Sequence, residues 1–248
     1  MTHLLVLSGT GEARQLLAQL AANPKIRITA SLAGATDRPA AFGVETRIGG
    51  FGGVDGLAAW CDMHAVDAII DLTHPYAAQM SRHAAALSAE LPVIAYSRPA
   101  WQAAKGDHWT EFENWKAMAA ALPRQARPFL AGGSRAVDAF VSRADLWLLA
   151  RGLKFRNELK KFNNLKLIND FPKKKIEDEI ALLTENEISH ICAKNSGGGW
   201  SFAKIAAARQ LGLPVWFVAR PDCQKGRQHY QICHSLDDVI AAINAMIR

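Results

Sequence analysis

LLVLSGTGEARQL, residues 4–16, decides the fold: an apolar run of strand character enters a turn carrying Gly9 and Gly11, and helix-forming residues follow at once. Downstream the same alternation continues. Ile26–Leu32 and Glu45–Ile48 read as strands, Leu57–Met63 as a helix, Val66–Leu72 as a strand, 77–90 as a helix closed by Pro92, and Val93–Tyr96 as a strand. From Pro128 it resumes, with strands at Phe129–Ala131, Leu146–Ala150, His190–Ala193, Val215–Ala219 and Tyr230–Cys233. Helices fall at Ser134–Val141, Ile176–Glu187, Phe202–Leu211 and Leu236–Ile247. Apolar runs separated by helical stretches imply an α/β protein of parallel sheets with crossover helices, most simply two doubly wound units in series. Prolines, tryptophans and short polar turns interrupt the pattern in the middle. The expected division is therefore a first domain at 1–98, a connecting region at 99–127 and a second domain at 128–248.

Composition narrows the class. Half of the 248 residues are hydrophobic, enough for a substantial core. No window approaches 18 uninterrupted apolar residues, and the N-terminus lacks a basic stretch followed by a cleavage site, so a cytoplasmic protein without a membrane partner is expected. Cys61, Cys192, Cys223 and Cys233 form no C-x-x-C pair and read as reduced thiols; no metal site is expected. The net charge of +6 comes from one place: residues 151–175 hold nine Lys/Arg against two acids. A solvated surface loop is the preferred reading of that segment, attraction for an acidic small molecule the next, and nucleic acid the last, because interleaved aromatics and DNA-reading motifs are missing.

Four stretches carry chemistry. Gly9, Thr10, Gly11, Glu12 and Ala13 form a strand–turn–helix junction of the kind that brings backbone N–H groups to a dinucleotide pyrophosphate. Arg14 occupies the third glycine's place of G-x-G-x-x-G, and a plain tight turn accounts for the stretch equally well. An NAD-binding unit would carry an acid about 20 residues further on. Ser31 stands there instead, with Gly34 and Arg38 following, and a hydroxyl plus a guanidinium suits the 2′-phosphate of NADP. RIGGFGG, residues 47–53, allows close backbone approach at Gly49 and Gly50, or is simply an awkward turn. In AIIDLTHPYA, residues 68–77, Asp71, Thr73 and His74 fall at the carboxyl end of a strand, the ligand-binding edge of open α/β sheets. Pro75 is expected to open the next helix, with Thr73 or His74 as its cap. In SHICAKNSGGG, residues 189–199, Lys194, Asn195, Ser196, Gly197 and Gly198 make a second strand end rich in donors.

Taken in order, S-G-T-G-E-A, S-L-A-G, R-I-G-G-F-G-G, D-x-T-H-P-Y-A, R-P-A-W at 98–101, A-K-N-S-G-G at 193–198 with K-I-A-A-A-R, and A-R-P at 219–221 resemble the precorrin-6A reductase family of cobalamin biosynthesis. The resemblance implies two Rossmann-like doubly wound parallel-sheet domains with a cleft between them. It implies NADPH as cofactor and an anionic tetrapyrrole as substrate, one double bond of which is reduced by hydride transfer. It also implies a setting beside neighbouring cobalamin-pathway enzymes. Lys194 to Gly198 would hold the substrate. His74 and Tyr76 are candidate proton donors, although the family pattern T-H-P-[FY]-A makes the tyrosine hydroxyl dispensable, and Asp71 would accept hydrogen bonds from ligand or backbone. Thr73 and Pro75 would line the cofactor. Residues 151–175 depart from the family pattern. Alternatives are a cobalt-precorrin-6A reductase, another NADP-dependent reductase, or a non-catalytic NADP-binding sensor.

Overall fold

A computed structural model describes residues 1–34, 42–221 and 229–247. The chain begins with β1 (Thr2–Leu7), α1 (Gly11–Leu20), β2 (Ile26–Leu32), β3 (Glu45–Ile48), α2 (Val54–Met63), β4 (Ala68–Asp71), α3 (Ala78–Ala86) and β5 (Val93–Tyr96). It continues through β6 (Trp109–Phe112), α4 (Trp115–Ala121), β7 (Pro128–Ala131), α5 (Ser134–Phe140), β8 (Leu148–Gly152), a 3-10 turn at Asn157–Lys161, β9 (Leu165–Asn169), α6 (Ile176–Glu185), β10 (His190–Lys194), α7 (Ala203–Leu211) and β11 (Val215–Val218). It closes with β12 (Tyr230–Cys233) and α8 (Leu236–Met246).

Two six-stranded sheets result, ordered β12-β5-β4-β1-β2-β3 and β6-β11-β10-β7-β8-β9, with every pairing parallel. The α/β, doubly wound reading therefore holds for both. The division of the chain corrects the expectation: one unit comprises Met1–Pro99 with Pro221–Arg248, the other Ala100–Arg220. The last strand and helix, expected in the second domain, return to the first sheet, where β12 covers the edge of β5. The region 99–127, expected as a connector, supplies β6 and α4 of the second unit.

Alternation along β1 explains how both faces of the first sheet are filled. Leu4 and Val6 pack with Leu16 and Leu17 of α1 and with Val239 and Ile243 of α8. Leu5 and Leu7 point the other way, towards Leu57 and Cys61 of α2 and Ala84 of α3. A strand buried on both faces reads as a continuous apolar run, which is what Leu4–Leu7 is. In the second unit, Phe129, Ile191 and Phe217 pack with Leu183 of α6 and Ile205 of α7. Cys61, Cys192 and Cys233 are buried free thiols, and burial raises the pKa of each; Cys223 lies outside the described residues.

The basic segment is not merely a solvated loop. It contains β9 and the 3-10 turn, and its first residue, Arg151, is buried in β8 against Glu179. No helix among the described residues is long and apolar enough to cross a membrane.

Candidate functional site

Each sheet has one point where the chain reverses its direction of winding: between β1 and β4 in the first, between β7 and β10 in the second. Loops leaving neighbouring strands diverge there, and open α/β sheets bind ligands in the crevice so formed. The glycine turn after β1, the D-x-T-H-P turn after β4 and the Lys194–Gly198 stretch after β10 lie at these points; Ser31 and RIGGFGG follow on β2 and β3, towards the sheet edge.

In the first unit the glycine turn after β1 and the D-x-T-H-P turn after β4 are joined directly. Thr10 is the N-cap of α1; its hydroxyl accepts from Ala13 N at 3.1 Å and donates to Leu72 O at 3.0 Å. Gly9 has φ +133°, and a Cβ built on it would stand in open space, so glycine is required by the backbone and keeps a cradle clear above the helix N-terminus. That cradle fits the pyrophosphate of a dinucleotide. Thr10→Ala removes the cap and the tie to Leu72. It is expected to cost about 1–2 kcal/mol in urea unfolding and to weaken cofactor binding, whereas Thr10→Ser, which retains both bonds, is expected to behave as the parent.

Glu12 does not point its charge at the cradle unopposed, because Arg98 pairs with it at 3.0 Å with both side chains largely buried. Burial, and then the nearby Glu12, push the Tyr96 phenol upward. Arg98 thus neutralises an acid that would otherwise repel a phosphate.

The D-x-T-H-P turn corrects one expectation. Helix α3 begins at Ala78 and has no side-chain cap, so neither Thr73 nor His74 caps it and Pro75 lies before its first turn. Thr73 is instead drawn back onto buried Asp71, whose Oδ1 accepts from Thr73 N at 3.0 Å and from Thr73 Oγ1 at 2.7 Å. Ser81 Oγ lies 3.2 Å from the same hydroxyl. Asp71 therefore shapes the turn. His74 Nδ1 accepts from Tyr76 N at 3.3 Å, and the two rings lie 5.8 Å apart.

At the end of β2, Ser31 is met by a residue that sequence reasoning passed over. Arg47 stands opposite it in register on β3 and donates from Nη1 to Ser31 Oγ at 2.8 Å. The same guanidinium donates to Gly49 O and Gly50 O, both at 2.9 Å, and lies 3.7 Å from the centre of the Phe51 ring. The available signal was the arginine at the head of RIGGFGG, which the glycines overshadowed. Gly34 ends the described part of this loop; Arg38 lies outside the described residues.

In the second unit Lys194 ends β10, and Gly197 and Gly198 both take left-handed conformations, φ +68° and +70°, which makes consecutive glycines obligatory. Burial, and then Arg135, lower the Lys194 pKa. Ser196 folds back on Lys194 O and does not cap α7, whose N-cap is Phe202. Asn195 is spent on the protein: its Oδ1 accepts from Trp101 N at 2.8 Å and its Nδ2 donates to Trp101 O at 3.0 Å. The Trp101 indole donates to Gly198 O at 2.8 Å, and Arg220 Nε donates to Asn195 O at 2.7 Å. Trp200 is exposed on this loop, with the Lys174 ammonium 4.7 Å above its ring, so the basic segment reaches the glycine loop. Beside them Gly132 and Gly133 turn the chain after β7 at the same switch point; a Cβ on Gly132 would strike the Trp115 ring at 2.4 Å. Among the described residues no group of three or more His, Cys, Asp and Glu side chains is placed to hold a metal ion.

Two doubly wound parallel sheets, each with glycine-rich turns where its winding reverses, define a Rossmann-like α/β protein. Within that class the chain belongs to the precorrin-6x reductase CbiJ/CobK family, whose model matches residues 3–244. It is 40% identical over 246 residues to the precorrin-6A reductase of Rhodococcus erythropolis, covering 98% of this chain and 96% of that one. It is 39% identical over 224 residues to the precorrin-6A reductase of Rhodobacter capsulatus, covering 89% of each. A solved structure of CobK precorrin-6A reductase superposes with a TM-score of 0.89 at 37% identity, covering 99% of this chain and 97% of that one.

Proposed function

We propose that this chain reduces one double bond of precorrin-6A in cobalamin biosynthesis, with NADPH as the hydride donor. The reading is supported above all by the family match along nearly the whole chain. The first unit would hold the cofactor: Gly9 and the N-terminus of α1 take the pyrophosphate, and Ser31 with Arg47 takes the 2′-phosphate. When bound, the reduced nicotinamide supplies a hydride to an electron-poor carbon of the conjugated macrocycle. Thr73 and His74, on a turn fixed by Asp71 and tied to the glycine turn through Thr10 and Leu72, position the reacting ring. His74 is the candidate to hold or pass the balancing proton, and Tyr76 orients it through its backbone N–H.

The second unit would hold the substrate. A tetrapyrrole precursor fringed with carboxylates is a polyanion with an apolar face. Lys194, Arg220 and Lys174 supply positive charge around the glycine loop, and Trp200 supplies an exposed ring. The test is NADPH consumption by the purified protein with precorrin-6A, followed by loss of reduced-nicotinamide absorbance. Turnover with precorrin-6A and with no other tetrapyrrole is expected. Turnover only with the cobalt complex would move the assignment to the cobalt-precorrin substrate, and NADPH binding without consumption would mark a sensor.

A further inference from the structure

We propose that Lys204 is a positioning residue: through Ser201 and the Trp101 ring it holds the 195–201 loop in the shape that receives the substrate's carboxylates. The proposal rests on the reading that this loop takes the substrate.

Between β10 and α7 the loop has no regular structure, and its two left-handed glycines give it a backbone with many alternatives. Its shape therefore depends on side chains that pin it. Asn195 is bound to the Trp101 backbone and the Trp101 indole to Gly198 O. The third pin is Lys204 in the first turn of α7, only 4% exposed, which donates from Nζ to Ser201 O at 2.6 Å with the Trp101 ring centre 5.1 Å away. Lys204 thus touches both the loop and the tryptophan that clamps the loop's other end. A lysine almost wholly removed from water, with a backbone carbonyl as its hydrogen-bond acceptor, is costly unless it serves an arrangement.

Of the three pins, only this one titrates. The charged groups acting on it are Arg151 at the end of β8 and Glu179 in the first turn of α6. Burial and Arg151 lower its pKa, Glu179 opposes them, and the outcome is about 7, against an ordinary 10.5. A neutral amine is compatible with this site; an ammonium is driven towards water, which frees Ser201 O and the Trp101 face. Substrate affinity should therefore fall as pH drops through neutrality. Stability carries the same sign: the folded state resists the proton that the unfolded chain accepts, so stability rises with pH between about 7 and 10.5 and levels off below.

The experiment measures KM for precorrin-6A and for NADPH from about pH 6 to about pH 8.5, bracketing the lysine. The parent is compared with Lys204→Met, Trp101→Phe and Lys194→Ala. In the parent the tetrapyrrole KM is expected to rise about tenfold towards the acid end, with the NADPH KM not following, as expected for a bound shape that loses one or two net hydrogen bonds. Lys204→Met should carry the raised tetrapyrrole KM at every pH, without the acid limb and with kcat near the parent's. It should also flatten the rise of melting temperature with pH. A folded Lys204→Met with the parent's KM and the parent's limb overturns the proposal. Should Lys204→Met fail to fold, Trp101→Phe decides: it keeps a ring beneath the amine but loses the bond to Gly198 O. A raised KM with the limb retained supports the clamp, and an unchanged KM overturns it. Lys194→Ala separates the underlying reading. If it leaves the tetrapyrrole KM unchanged, the substrate does not use this loop and both fall. If it raises KM while Lys204→Met does not, only the clamp falls.

Discussion

Glu179→Ala is expected to lower the stability of the protein by about 3–5 kcal/mol, because it strips a buried guanidinium of its counter-ion. Glu179 is fully buried in the first turn of α6, and Arg151 is 5% exposed at the end of β8. Arg151 Nη2 donates to Glu179 Oε1 at 2.7 Å, and the same oxygen accepts from Lys173 N at 3.0 Å. The pair is only half satisfied: Glu179 Oε2 and Arg151 Nη1 are buried without a hydrogen-bond partner among the described residues. Such a pair contributes little net stability, since desolvation offsets most of the attraction, yet removing one member leaves an uncompensated charge. The change also removes the carboxylate that opposes the effect of burial and Arg151 on Lys204, whose pKa should fall further. Urea unfolding measures the loss, and the double variant Arg151→Met with Glu179→Leu is expected to recover most of it. Were Glu179→Ala to unfold at the parent's urea midpoint, the carboxylate would have no structural part and the account of this corner would be wrong.

Arg47→Ala is expected to raise KM for NADPH about 100-fold while changing KM for NADH by less than about threefold, since a charge-assisted bond to a phosphate contributes about 1.5–3 kcal/mol and NADH lacks that phosphate. The geometry behind the number is the guanidinium held at the carboxyl end of β2 by Ser31 Oγ, two carbonyls and the Phe51 face. Arg47→Lys should recover only part of the loss, because an ammonium cannot bridge hydroxyl, carbonyls and phosphate in one plane. Equal weakening of both cofactors would reduce Arg47 to a brace for the Gly49–Gly50 turn. Arg38 in the same assay tests the residue that sequence spacing favoured.

What the sequence disclosed follows burial in the second sheet, whereas in the first even the largely exposed edge strands β3 and β12 were legible. Ile26–Leu32, Glu45–Ile48, Val93–Tyr96 and Tyr230–Cys233 have the bounds expected of them, and the inner strands announce themselves as apolar runs. The two strands missed, β6 and β9, are the two edges of the second sheet. Trp109–Phe112 has an exposed acid and threonine at its centre, and Leu165–Asn169 carries exposed Lys166 and Asn169 among its apolar residues, as suits an edge half open to water. Local pattern also could not say which sheet the last strand would join, because pairing with β5 is a choice made across more than a hundred residues. At the site, glycine turns and the Asp71–His74 stretch were legible because turn chemistry is local. Arg47, Trp101 and Lys204 were not: the contacts Arg47–Ser31, Trp101–Asn195 and Lys204–Trp101 join residues distant in the chain, which only the fold brings together.

The return of β12 to the first sheet has a consequence for how the protein is made. The roughly 130 residues between Tyr96 and Tyr230 take on the order of 10 s to emerge from a ribosome working at about 5–20 residues per second. Throughout that interval the nascent chain holds β5 as an open sheet border, its outward N–H and C=O groups unclaimed, while the inserted unit, Ala100–Arg220, is synthesised and completed before Tyr230 appears. The unit that starts first therefore finishes last, and a chain that stalls before Tyr230 leaves the ribosome with an adhesive edge that other stalled chains can pair with.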